Sequence, residues 1–131
     1  NIVVYGMSLG TGIAVKMALY YPNIVRGMIL EAPYTSITQI AQSRYPLVPA
    51  VKWFLKDRYD SLKVMPWIKV PVLFYHGTQD SIIPIRFGKA LFAAHPDAAN
   101  QTFLELQEFG HNDLDINHPE ISNAILEFLE R

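Results

Sequence analysis

Four times along this chain a short apolar run with strand character is followed by a segment with helical spacing. That alternation constrains the fold more than any other feature. Parallel strands need crossover connections long enough to hold a helix, so the repetition predicts a mostly parallel sheet with helices on both faces. Ile2 to Tyr5 reads as a strand buried on both faces. Ile13 to Tyr20 is apolar at nearly every position, with Lys16 its only charge, and reads as a buried helix that Pro22 closes. Val25 to Leu30 is a second buried strand, and Val70 to Tyr75 a third, with Pro71 near its start where strands tolerate one. Pro84 opens a helix with Phe87, Ala90, Leu91 and Ala94 on one face, stopped by Pro96. Thr102 to Phe109 alternates, with Leu104 and Leu106 on one face and Glu105 and Gln107 on the other. Such alternation marks a half-exposed strand at a sheet edge. Ile121, Ala124, Ile125, Phe128 and Leu129 make the stripe of a last amphipathic helix, entered through His118-Pro119-Glu120.

Residues 33–66 break the pattern. They carry Pro33, Pro46, Pro49 and Pro66 and several aromatics, and show no strand alternation. Ile37, Ile40 and Ala41 recur at helical spacing after Thr35 or Ser36, either of which caps a helix well. Val51, Phe54 and Leu55 predict a second short helix. The segment is an excursion of helices and loops between the second and third strands.

A length of 131 residues matches a single domain, residues 1–131, and 50% apolar composition is enough for a core. Eleven basic against twelve acidic residues give a net charge of −1 with no basic cluster, which argues against nucleic acid as a partner. The absence of cysteine excludes disulfides and thiolate metal sites. The four histidines are scattered, so neither a metal nor an organic cofactor is expected. The compartment and any membrane association stay open. Asn1 leads directly into the first strand, so the chain is expected to be a piece of a longer protein, incomplete at its N-terminus.

The chemistry concentrates where strands end. Gly6-Met7-Ser8-Leu9-Gly10 has the Gly-x-Ser-x-Gly pattern and joins a strand directly to a helix. A turn that sharp forces the serine into a strained backbone conformation and exposes its hydroxyl. Small residues two before and two after let strand and helix approach. A hydroxyl needs a base to become a nucleophile near neutral pH. Among His76, His95, His111 and His118, only His76 and His111 follow strands, at the carboxyl edge where open α/β sheets bind ligands. His111 is the expected base, with His76 holding the turn that carries Asp80. His95 is expected at the surface, and His118 beside a helix start. Asp80 is the expected orienting acid; Glu31, just after the second strand, is its rival. Asp113 and Asp115 lie too near His111 in sequence to reach around its ring and read as loop or cap residues.

Ser8, Asp80 and His111 stand in the order nucleophile, acid, base. Together with Leu30-Glu31-Ala32-Pro33-Tyr34-Thr35-Ser36, His76-Gly77-Thr78-Gln79-Asp80 and Gly110-His111-Asn112-Asp113, they resemble the α/β-hydrolase superfamily. The closest resemblance is to the serine-hydrolase branch of monoacylglycerol and lysophospholipid lipases, protein depalmitoylases and related bacterial esterases. The resemblance spans the chain but implies only the C-terminal half of the fold, about four mostly parallel strands, with the N-terminal strands missing. It implies a serine hydrolase acting on a small-molecule acyl substrate, an ester or thioester, through a Ser8-His111-Asp80 triad. Dehalogenase and epoxide-hydrolase relatives carry aspartate at the elbow where this chain has Ser8. The backbone N–H of Leu9 would supply one oxyanion donor, aided by the helix that starts there. The second donor would come from the missing half, which would also pair with the first strand. The excursion at 33–66 would be a lid over the acyl pocket, or Trp53, Phe54 and Trp67 would simply pack it onto the sheet. The alternatives are a serine peptidase of the same fold, a hydrolase-fold binding protein, or a fragment without activity of its own.

Overall fold

The computed structural model describes residues 2–47 and 59–131. Four strands form one sheet in the order β1-β2-β3-β4, and every neighbouring pair is parallel. They are β1 (Ile2–Met7), β2 (Val25–Glu31), β3 (Val72–Gly77) and β4 (Gln101–Leu106). The helices are α1 (Gly10–Tyr20), α2 (Ile37–Arg44), the single turn α3 (Ser61–Val64), α4 (Ile85–Ala94) and α5 (Pro119–Leu129). The expected helix at Val51, Phe54 and Leu55 lies outside the described residues, as does Trp53.

The period of two along each strand sorts the core into two layers. Met28 and Leu30 of β2, with Val72 and Phe74 of β3, pack against Ala14, Val15 and Ala18 of α1 and Leu91 of α4. Ile29, Leu73, Tyr75 and Leu106 face the opposite way and pack against Ile121 and Phe128 of α5. Phe74, Phe92 and Phe103 meet edge-to-face and stacked, with centroids 5.6–6.1 Å apart, which joins α4 to β3 and β4. A third cluster of Tyr34, Ile83 and Phe87 binds the start of the excursion to the turn after β3.

Several expectations are corrected by what covers each element. β1 is not buried on both faces: Val3, Tyr5 and Met7 on one face are 36%, 42% and 58% exposed, because little among the described residues covers that face. α1 is buried on one face only, and Ile13, Met17 and Tyr20 are exposed. Its uniform apolarity therefore marks two apolar faces, of which the sheet covers one. β3 starts two residues later than expected, with Pro71 just outside; the Pro71 carbonyl still accepts from Met28 N–H at 2.9 Å. β4 stops at Leu106, and Glu108 beyond it turns back at φ 66°. Leu129, expected in the α5 stripe, is exposed, while Ile121 and Phe128 carry the packing. His95 is buried, with its ring nitrogens on the Val70 carbonyl (3.2 Å) and on Asp97 N (3.2 Å), so it ties the end of α4 to the start of β3. Trp67 is 73% exposed and does not pack the excursion onto the sheet.

Ser36 caps α2, accepting from Gln39 N–H at 3.1 Å, which decides between Thr35 and Ser36. His118 is the N-cap residue of α5, and its ring meets Phe109 edge-on at 5.0 Å. No helix among the described residues is long and apolar enough to cross a membrane.

Gly77 is where two turns meet. A Cβ on it would lie 2.2 Å from the Phe109 carbonyl oxygen, a backbone atom with little room to retreat. Gly77→Ala should therefore destabilise the full-length protein by about 1–3 kcal/mol, read as a lower urea midpoint at unchanged slope.

Candidate active site

The site lies along the carboxyl edge of the sheet, where β1, β3 and β4 each deliver one side chain. β1 runs into Ser8, whose φ of 51° is left-handed and costs about 1–2 kcal/mol for a residue with a Cβ. The surroundings hold it there. Ser8 N–H donates to the Glu31 carbonyl at 2.9 Å, and the Ser8 carbonyl accepts from Thr11 N–H (3.0 Å) and the Thr11 hydroxyl (2.6 Å). Gly6 is required by contact: a Cβ there would lie 2.8 Å from Thr11 Cα and 2.9 Å from Ala14 Cβ. Gly10 is different, since a Cβ there would meet nothing within 4 Å. Of the two glycines that flank the serine, only the first is explained by the approach of strand and helix.

β3 delivers Asp80 through a turn built by Gly77. Thr78 N–H donates to Leu106 O and Gln79 N–H to Phe109 O, both at 2.9 Å, which locks this turn to the one that follows β4. Asp80 Oδ1 accepts from the backbone N–H of Ile82 (2.9 Å) and Ile83 (2.7 Å). Oδ2 faces His111 Nδ1 at 2.6 Å and His76 Nε2 at 3.3 Å. Burial pushes the Asp80 carboxyl up, but the bonds from His76, His111 and Ile83 outweigh it and hold the acid below its ordinary value.

His111 completes the chain: its Nε2 lies 3.0 Å from Ser8 Oγ. The carboxylate can only accept, so Nδ1 carries the proton it donates to Asp80. Nε2 is left as the acceptor for the serine hydroxyl. The structure thus brings together the three residues singled out from the sequence. Leu9, the expected oxyanion donor, follows Ser8 directly at the N-cap of α1. The buried hydroxyl of Tyr34 donates to its carbonyl at 3.2 Å and ties the excursion to the elbow.

His76 is completely buried and holds the acid's turn, as expected. Its Nε2 donates to the Ile83 carbonyl at 2.7 Å. Nδ1 has no partner, and a Cβ on Gly88 would crowd it at 2.6 Å. Asp113 and Asp115 are turn residues, Asp113 Oδ2 accepting from Gly110 N–H at 2.6 Å and Asp115 Oδ1 from Asn117 N–H at 2.9 Å.

Glu31, the rival acid, has other partners. Both the Tyr5 and Tyr75 hydroxyls donate to its Oε2, and those hydroxyls lie 2.7 Å apart. One side chain from each of β1, β2 and β3 meets there. Burial first, then the bond to Glu31, pushes the Tyr5 phenol up to about 12, and Tyr75 is driven in the same direction. Neither tyrosine stood out from the sequence. The available signal was a phenol inside each of two apolar strands, because a buried hydroxyl seeks a partner. Met7, Ser8, Glu31, His111, Asn112 and Leu114 line a cavity of about 190 Å³ beside the serine. Among the described residues no group of three or more His, Asp or Glu is arranged to hold a metal ion.

No family model matches the chain. It is 34% identical over 148 residues to the alpha/beta hydrolase domain-containing protein WAV2 of Arabidopsis thaliana, covering 100% of this chain and 47% of that protein. It is 29% identical over 151 residues to the lysophosphatidylserine lipase ABHD12 of Danio rerio, covering 96% and 39% respectively. The crystal structure of Paleococcus ferrophilus monoacylglycerol lipase superposes with a TM-score of 0.69 at 22% identity, over 97% of this chain and 67% of that one. The chain belongs to the α/β-hydrolase superfamily. It spans less than half the length of these two curated relatives. Its four parallel strands and their helices are part of the α/β-hydrolase fold.

Because its pKa is lowered by folding, Asp80 contributes stability in full above its unfolded value of about 3.9. That contribution is lost as pH falls through the lower folded value. Asp80→Asn should lower stability by about 2–4 kcal/mol at pH 7 and flatten the loss below pH 4, measured as urea midpoint against pH.

Proposed function

We propose that this chain carries the nucleophile, base and acid of a serine hydrolase that cleaves carboxylic esters or thioesters of small acyl substrates. The observation that carries the reading is the continuous path from Ser8 Oγ to His111 Nε2 at 3.0 Å and from His111 Nδ1 to Asp80 Oδ2 at 2.6 Å. The similarity to a lysophosphatidylserine lipase and to a monoacylglycerol lipase supports acyl glycerols and lysophospholipids as the substrate class.

In this reading Ser8 Oγ attacks the acyl carbon while its proton passes to His111 Nε2. The new C–O bond pushes the carbonyl electron pair onto oxygen, where the Leu9 N–H and the start of α1 stabilise the charge. Collapse of this intermediate breaks the bond to the leaving group, and His111 returns the proton to that oxygen or sulfur. Water, activated by the same imidazole, then releases the acid and frees Ser8. Asp80 fixes the Nδ1–H tautomer and balances the imidazolium. The excursion at 33–66 is read as a lid over the acyl group, supported by the Tyr34 tether to Leu9.

The test is fluorophosphonate labelling of the full-length protein, with the modified peptide mapped by mass spectrometry. Labelling is expected at Ser8, absent from Ser8→Ala. A folded protein that fails to label would exclude the reading and favour a binding role. Asp80→Asn should keep the fold and lower kcat on an activated ester by about 10³–10⁴-fold.

A further inference from the structure

The cavity beside Ser8 has a chemical polarity that the triad does not account for. Of its lining residues, Met7 and Leu114 are apolar, Asn112 is neutral, and Ser8 and His111 belong to the acyl-transfer path. Glu31 is the remaining one, and no lysine or arginine lines the cavity among the described residues. Its carboxylate is held rigidly: the residue is 4% exposed, and both phenols donate to Oε2. Oε1 accepts no hydrogen bond among the described residues. A carboxylate that lines a small cavity without a basic side chain beside it favours a positive group placed there.

The position of the cavity says which part of a substrate meets this charge. His111 must return its proton to the leaving-group atom, so the leaving group lies on the imidazole side of Ser8. The residues that share a cavity with His111 therefore surround the leaving group. Ala32, next to Glu31, is buried and held at φ 46°, and its N–H donates to the Tyr75 carbonyl at 2.9 Å. A second left-handed residue thus stands at a strand end beside the site.

We infer that Glu31 makes this cavity a subsite for a positively charged leaving group, so that the enzyme prefers esters of ammonium-bearing alcohols to neutral or anionic ones. This rests on the serine-hydrolase reading, and it adds a specificity that the triad alone lacks.

The test compares two esters of the same acid in the full-length protein: a choline ester and its 3,3-dimethylbutyl counterpart, which matches it in shape and lacks the charge. The kcat/KM ratio should favour the choline ester by about tenfold or more. In Glu31→Gln the ratio should fall toward one, since the amide oxygen still accepts from the tyrosines and only the charge is gone. A ratio near one in the unaltered protein, or a preference that survives Glu31→Gln, overturns the inference. Should Glu31→Gln not fold, Glu31→Asp serves instead; it keeps the charge but draws it back, and the ratio should drop without reaching one. An unchanged ratio in that variant overturns the inference as well. Fluorophosphonate labelling of the same samples separates the two readings: labelling at Ser8 with no charge preference removes the subsite alone, and absence of labelling removes both.

Discussion

The Asp80 carboxylate is the point on which the rest of the site depends. Four N–H donors converge on it: the backbone of Ile82 and Ile83, the imidazole of His111 at 2.6 Å, and the imidazole of His76 at 3.3 Å. Two of these come from its own turn, one from β3 and one from the turn after β4. The carboxylate therefore does in the folded chain what a covalent link would do, holding two loops of different strands in one register. A buried carboxylate without such partners would take up a proton, and the loops would lose their common anchor. Its lowered pKa and the geometry of His111 are two results of the same set of bonds.

Several small residues make that convergence possible. Gly77 leaves room for the Phe109 carbonyl, Gly6 for the first turn of α1, and Gly88 for the unpartnered edge of His76. Each stands where two segments that carry or support site residues press together. The strain at Ser8 is sustained in the same way, by the Glu31 carbonyl on one side and Thr11 on the other. Packing on both faces of the sheet fixes the strand ends, and the fixed ends impose the local conformations that chemistry requires.

Much of this was legible in the sequence, for physical reasons that differ by element. β2 and β3 were legible because both faces are buried, so apolarity alone marks them. Ser8, Asp80 and His111 were legible because each lies just past or in the turn after a strand, and strand ends in a parallel sheet share one edge. α2 was legible through its cap. What failed was burial that depends on neighbours. β1 and α1 have apolar faces that nothing covers among the described residues, and composition cannot tell a covered face from an open one. His95 looked like a surface residue because it precedes a proline; its burial follows from reaching back to Val70, 25 positions away. The Tyr5–Glu31–Tyr75 cluster was invisible for the same reason, since its three members come from three strands and meet only through register.

Glu31 and Asp80 show why residue type and position do not by themselves assign a role. Both are carboxylates at the carboxyl edge, each near the end of a strand. Asp80 meets nitrogen donors, one of which is an imidazole whose other nitrogen lies 3.0 Å from Ser8 Oγ. Glu31 meets phenols whose pKa values its own charge helps to raise, so those protons stay in place through the working pH range. A carboxylate bonded to an imidazole can orient and balance a proton transfer; one bonded to two phenols can only hold its charge in place. The same group thus lies on a hydrogen-bonded path to Ser8 at one strand end and between two phenols at the other. The chemistry of its donors decides which.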